Sequence, residues 1–100
     1  MRSVFVMLSL VALTACSSRV TGEIGTACMG ADRSAASPQL CSCVQQAANR
    51  TLGPNDQVRA AEFFSDPQLA QDTRQSDNRG SEAFWQRYKV FTDTASRMCR

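Results

Sequence analysis

The sequence contains no histidine, and Lys89 is its only lysine. Histidine is the commonest general base and the commonest metal ligand in proteins. Its absence excludes a Ser-His-Asp triad, a Cys-His pair and a histidine-based metal site. Carboxylates also show no helical pairing that suggests general acid–base work. We therefore expect a protein that is not an enzyme and that uses no cofactor and no metal.

The sequence also lacks a hydrophobic run of membrane-spanning length. Its longest apolar stretch covers residues 4–13 and is interrupted by Ser9, whereas a spanning helix needs about 20 apolar residues. A positive start at Arg2, a brief apolar run and a small-residue exit are instead the layout of a secretory signal. We expect residues 1–15 to be a signal peptide that is removed on export.

The signal ends in Leu13-Thr14-Ala15-Cys16, which resembles the lipobox of bacterial lipoproteins. In that family the cysteine thiol receives a diacylglyceryl group, cleavage occurs before the cysteine, and its new amine takes a fatty acid such as palmitate. The resemblance implies a lipid anchor on Cys16 that holds the chain to the cell envelope, facing the periplasm. Ser17 follows in place of aspartate, which implies the outer membrane by resemblance to the enterobacterial sorting rule.

An excess of charge of either sign is missing as well, with 11 basic residues against 9 acidic ones. Nucleic-acid binding demands a basic face, so we expect no nucleic-acid partner. The expected contacts are the membrane, through the lipid, and an envelope protein.

Four cysteines remain beside Cys16, namely Cys28, Cys41, Cys43 and Cys99. An even number in a small exported chain is typical of a disulfide framework. The spacings lack the paired CxxC units of zinc sites and the CxxC of redox sites. Pairing Cys41 with Cys43 fits worst, because helical residues two positions apart point about 200° apart. We favour Cys41–Cys99 with Cys28–Cys43, while Cys28–Cys41 with Cys43–Cys99 stays open.

Apolar residues recur at helical spacing over most of residues 37–99, and no segment alternates like a strand. We predict an all-α bundle of three to four short helices over 37–100, preceded by a flexible tether over 16–36. The expected N-caps are Ser37, Asn55 or Asp56, Asp66 and Ser81. The expected apolar stripes are Leu40, Cys41, Val44, Ala47, Ala48 and Leu52, then Val58, Ala61 and Phe64 with Phe63 beside them, and finally Phe84, Tyr88, Phe91, Ala95 and Met98.

Residues 40–99 resemble a group of short exported alphaproteobacterial proteins, such as those of Rhodobacter relatives. The resemblance lies in residues 41–46 (CSCVQQ), 61–67 (AEFFSDP), 70–71 (AQ), 74–77 (RQSD), 84–89 (FWQRYK) and Cys99. It implies a helical domain with four cysteines. Some members are named arginine transporters, which implies at most an accessory role, because a single lipid-anchored domain forms no channel.

The candidate binding residues lie in a polar loop and the aromatic helix after it. They are Arg74, Asp77, Glu82, Trp85, Arg87 and Tyr88, of the types enriched at binding hot spots. Two functions fit them. The first is a protein-docking or structural module, and the second is an accessory protein that binds a basic amino acid such as arginine. The alternative is that these residues form no binding site, with Trp85 and Tyr88 in the core and the charged residues around them exposed to solvent.

Overall fold

The computed structural model describes residues 20–31 and 36–99. The predicted signal peptide, Cys16 and the first residues of the predicted tether lie outside the described residues. Five helices fill the described part of the chain, and they are α1 (Glu23–Gly30), α2 (Pro38–Thr51), α3 (Pro54–Ser65), α4 (Pro67–Arg74) and α5 (Arg79–Met98). The prediction of a small all-α bundle is confirmed, with one helix more than expected.

The additional helix is α1, which lies inside the range predicted to be a tether. Its residues Ile24, Gly25 and Cys28 are buried, and it packs against both α2 and α3. An isolated eight-residue helix is unstable in water, so α1 depends on this packing rather than on its own propensity. The prediction of a flexible tether over 16–36 is therefore wrong for residues 23–30.

Two helix starts follow the predicted capping chemistry. The Ser37 hydroxyl accepts a hydrogen bond from the Leu40 N–H at 3.1 Å, and the Asp66 carboxylate accepts one from the Gln68 N–H at 3.2 Å. Each satisfies a backbone donor that has no partner within its helix.

The starts of α3 and α5 differ from the predicted ones. Helix α3 begins at Pro54 rather than after Asn55 or Asp56, because proline lacks an N–H and its fixed φ suits the first helical position. Helix α5 begins at Arg79, and its N-cap is Asn78 instead of Ser81.

The core residues come from α1, α2, α3 and α5. The buried set is Ile24, Ala47, Ala48, Leu52, Ala60, Phe63, Phe84 and Phe91. The stripes predicted on α2 and α5 face this core. On α3 the buried residues are Ala60 and Phe63, whereas Val58 is 48% exposed, because the face of α3 that meets the rings of α5 carries Phe63 and not Val58.

Two disulfides join Cys28 to Cys41 and Cys43 to Cys99. The favoured pairing, Cys41–Cys99 with Cys28–Cys43, is wrong, and the alternative is confirmed. Cys41 lies on the buried face of α2, where α1 brings Cys28 beside it. Cys43, two positions further on, points to a different side of α2 and meets the end of α5. Because α1 was not predicted from the sequence, the position of Cys28 relative to α2 could not be predicted either.

The helices meet on two chemically different sides. On the glutamine side, α1, α2 and the start of α3 surround Gln45, which is 6% exposed. Its Oε1 accepts from the Gly25 N–H, and its Nε2 donates to Asn49 and Gln57, all at 2.8 Å. Gly22 has a φ of 95°, and a Cβ there would collide with the Gln45 side chain.

The second side, the aromatic side, joins α3 to α5. Its ring contacts involve Phe63, Phe84, Trp85, Tyr88 and Phe91.

Candidate functional site

A polar concavity of about 560 Å³ lies where α4 ends and α5 begins. The loop between the two helices carries it, so side chains from both helix ends converge there. Its lining residues are Arg74, Ser76, Arg79, Glu82, Ala83, Trp85 and Gln86.

Three of the six predicted binding residues come together in this concavity. Arg74 ends α4, and Glu82 and Trp85 occupy the first turns of α5. Trp85 is half-buried, and its ring centroid lies 5.2 Å from that of Tyr88. Trp85 therefore has two roles, since one part of it packs on the core and another lines the concavity. Asp77 is exposed in the connecting loop and is not part of the lining.

Arg87 belongs to another contact. It forms a two-pronged ion pair with Asp56 of α3, with Nε–Oδ2 at 2.5 Å and Nη2–Oδ1 at 3.1 Å. The Asp56 hydrogen bond raises the pKa of Arg87; desolvation opposes this rise, and attraction to the same carboxylate adds to it. The Arg87 side chain is 48% exposed, so the pair contributes little to stability. It holds α5 against the first turn of α3.

The charge balance of the polar concavity does not suit a cationic ligand. Arg74 and Arg79 bring two guanidinium groups, and Glu82 brings the single carboxylate among the lining residues. A guanidinium fork matches carboxylate or phosphate oxygens, whereas a bound arginine would meet two like charges. An arginine ligand was expected to place its guanidinium on a carboxylate, either Asp72, Asp77 or Glu82, and to stack on Trp85. Of these carboxylates, only Glu82 lines the concavity with Trp85.

A second concavity, the apolar groove, has a volume of about 340 Å³. Helices α2, α3 and α5 form most of its lining, and α1 contributes one residue. The lining residues are Cys28, Ala36, Leu40, Val44, Phe63, Phe64, Tyr88, Phe91, Thr92 and Ala95. Tyr88, the sixth predicted binding residue, thus faces this groove and the core rings instead of the polar loop. None of these residues carries a charge.

Sequence reasoning missed the apolar groove although several of its residues were recognised. Phe64, Tyr88 and Ala95 were placed on apolar stripes, and a stripe is normally core. They remain partly exposed because the helices that present them leave a gap, which depends on their packing and not on their periodicity. No sequence signal identified Gln45 as the buried link between three helices.

Comparison with known proteins adds no assignment. No family model, curated protein or solved structure matches this chain. The resemblances to lipoproteins and to the alphaproteobacterial group therefore stay predictions. Within residues 20–31 and 36–99, no helix is long and apolar enough to cross a bilayer, and no group of three or more acidic or cysteine side chains is placed to hold a metal ion.

Proposed function

We propose that this chain is a non-enzymatic envelope lipoprotein, anchored by lipid on Cys16, whose helical domain is a docking module at the membrane surface. The lipobox supports the anchor. The disulfides Cys28–Cys41 and Cys43–Cys99 support an oxidising compartment, because such bonds persist in the periplasm and not in a reducing cytosol.

The observation that carries the proposal is the position of α1. Ile24 of α1 is fully buried, and it is only the eighth residue after Cys16 along the chain. A fully extended chain spans at most about 3.5 Å per residue, so Ile24, at the edge of the core where the chain enters it, lies within about 28 Å of the anchor. A tether reaching residue 36 would have allowed about 70 Å. The partner of the domain must therefore be reached close to the bilayer.

The anchor is tested by Cys16→Ala. We expect loss of the lipid on mass spectrometry and a change in membrane fractionation or in processing, whereas the neighbouring change Ser18→Ala should leave all three unaltered. A Cys16→Ala protein that is processed and retained like the natural chain would rule out the lipoprotein proposal.

The importance of the short connection between Cys16 and the domain is tested by lengthening that connection. A flexible Gly/Ser insert between Ser18 and Arg19 keeps the lipobox but frees the domain from the bilayer surface. With a tag after Arg100 and chemical cross-linking in intact cells, we expect one envelope protein to be captured by the natural chain and much less of it by the lengthened chain. Equal capture by both would show that proximity is not used.

Arginine binding, the other function considered, has weaker support because the polar concavity presents two guanidinium groups against one carboxylate. We expect calorimetry of the exported domain with millimolar arginine to give no binding heat. A saturable heat that Glu82→Gln abolishes would reinstate this function.

A further inference from the structure

The apolar groove has the chemistry of a small-ligand site. All of its lining side chains are uncharged, and Phe63, Phe64, Tyr88 and Phe91 give it aromatic walls. Cys28, the only cysteine of the lining, has its sulfur in a disulfide, and the Thr92 hydroxyl donates to the Lys89 carbonyl at 3.0 Å. An occupant would therefore be recognised by apolar contact and shape.

The size of the groove favours a lipid chain over a protein segment. Its volume of about 340 Å³ lies at the small end of ligand pockets, which span about 300–1,000 Å³. A helix with its side chains is about 10–12 Å across and could insert only one or two side chains. If a methylene group takes about 30 Å³, close to the share of a water molecule in the liquid, the groove holds about eleven of them.

The source of such a chain follows from the anchor, and this step rests on the proposed function. Cys28 lies on the groove wall and is four residues beyond Ile24 on α1, about 6 Å along the helix axis. The groove wall is thus within about 35 Å of Cys16 at full extension of the chain. An anchored protein would keep the groove beside a bilayer, which contains lipid acyl chains. The volume of the groove, about 340 Å³, suits one short chain, so a single-chain fatty acid fits it better than a phospholipid with two chains.

We propose that the apolar groove binds the alkyl chain of one free fatty acid, with the carboxylate left at the groove mouth. The site would accept about eleven methylene groups. The affinity should therefore rise with each carbon added, by at most about fourfold per carbon, up to roughly dodecanoate. Longer chains should then gain little, because their additional carbons remain outside.

The test uses the full mature chain from residue 16 with Cys16→Ser, exported behind a leader that ordinary signal peptidase removes, and kept free of detergent. Dansyl-undecanoic acid is the fluorescent probe, and fatty acids from octanoate to palmitate displace it. We expect one saturable site and a plateau of affinity near dodecanoate. Absence of saturable binding, or an affinity that ignores chain length, would overturn the proposal.

Matched variants locate the site. Ala95→Phe fills the groove, and Ala83→Phe places the same side chain in the polar concavity on the same helix. We expect at least a tenfold loss of probe affinity for Ala95→Phe and none for Ala83→Phe. Thr92→Trp is a second blocking variant at an exposed position, for use if Ala95→Phe misfolds. Natural affinity in a folded blocking variant would overturn the assignment.

Probe binding by the lipidated chain distinguishes a free fatty acid from the protein's own acyl chain as the occupant of the groove. If the lipidated chain in nanodiscs excludes the probe while the Cys16→Ser chain binds it, the groove holds the protein's own acyl chain and the free fatty acid is ruled out. Probe binding by the lipidated chain supports the proposal when Ala95→Phe abolishes it, because probe dissolved in the nanodisc bilayer would not respond to that change. The displacement assay needs no lipid on Cys16, so failure of the lipoprotein proposal in mass spectrometry leaves its result intact.

Discussion

The glutamine side and the aromatic side hold the same small domain together by different means. On the glutamine side the backbones approach closely, because Gly22 and Gly25 have no side chains that would crowd Gln45 of α2. The buried Gln45 amide then accepts a hydrogen bond from the Gly25 N–H, which lies in the first turn of α1. On the aromatic side large rings fill the space between α3 and α5, with Phe63 and Tyr88 centroids 5.0 Å apart.

The difference shows how two kinds of stability coexist in one bundle. Most of the energy of the aromatic contacts comes from the apolar area removed from water, and this term does not depend on direction. The contacts of Gln45 are directional, and each loss strands a buried polar group. We therefore expect truncation of side chains on the aromatic side to lower the free energy of unfolding most. Truncation on the glutamine side should instead promote local opening, which hydrogen exchange detects.

The largest effect should come from Phe84→Ala on the aromatic side. Phe84 is 1% exposed, its ring contacts Phe63, and the Arg59 guanidinium lies 4.4 Å above its centroid. Removal of the ring leaves a cavity and breaks these contacts, at a cost of about 5 kcal/mol in unfolding free energy. Urea denaturation with both disulfides intact measures this loss.

The control for Phe84→Ala is Val90→Ala on the same helix. Val90 is 56% exposed, so its truncation should change stability by less than about 0.5 kcal/mol. A similar loss for both variants would mean that the aromatic side is not the main source of stability.

The two disulfides come next, and they differ in the loop that each one closes. Cys43–Cys99 closes 56 residues and Cys28–Cys41 closes 13. Restriction of the unfolded chain grows with loop length, so replacing the first pair by alanines should cost about 4 kcal/mol and replacing the second about 3 kcal/mol. Urea unfolding under non-reducing conditions compares the two double variants, and the reverse order would show that chain entropy does not govern them.

Gln45→Ala should have an intermediate effect that is confined to the glutamine side. It removes three hydrogen bonds and leaves the Gly25 N–H buried without a partner, which should cost about 2 kcal/mol. Hydrogen exchange at the Gly25 amide should become fast in the variant, while amides in the middle of α5 keep their protection. The exposed neighbour Gln46 provides the control, because Gln46→Ala should alter neither stability nor exchange.

The same contrast explains what could be predicted from the sequence. The aromatic side was visible because Phe84, Tyr88 and Phe91 recur with helical spacing on a polar helix, and burial of such a stripe follows from elementary physics. The glutamine side was not visible, because Gln45 looks like any polar helix residue until α1 is in place. The error over α1 then spread, since the disulfide partner of Cys28 and the length of the tether both depend on it.

The predicted binding residues also show that a sequence does not reveal which surface positions lie together in the folded domain. Neighbours in sequence were assumed to be neighbours in function, but successive positions of α5 face different directions. Trp85 therefore lines the polar concavity, Tyr88 lines the apolar groove, and Arg87 pairs with Asp56. Only the packing partners of α5 decide which of these faces meets a concavity.

The smallest effect is expected from Asn78→Ala, which tests a cap and not the core. The Asn78 carboxamide oxygen accepts from the Gly80 N–H at 2.8 Å and from the Ser81 N–H at 3.2 Å, so its loss should cost about 1 kcal/mol. Asn55→Ala is the matched control, because Asn55 was expected to cap α3 but lies exposed inside its first turn. Chemical denaturation should separate the two variants, and faster exchange should appear only at the first amides of α5, beside the polar concavity. Equal losses of stability for both asparagine variants would mean that Asn78 is not the effective N-cap.

Fraying of this end of α5 in Asn78→Ala would also disturb the polar concavity, because Arg79, Glu82 and Trp85 would lose their fixed positions. The glutamine side would stay closed, because no hydrogen bond of Gln45 involves α5.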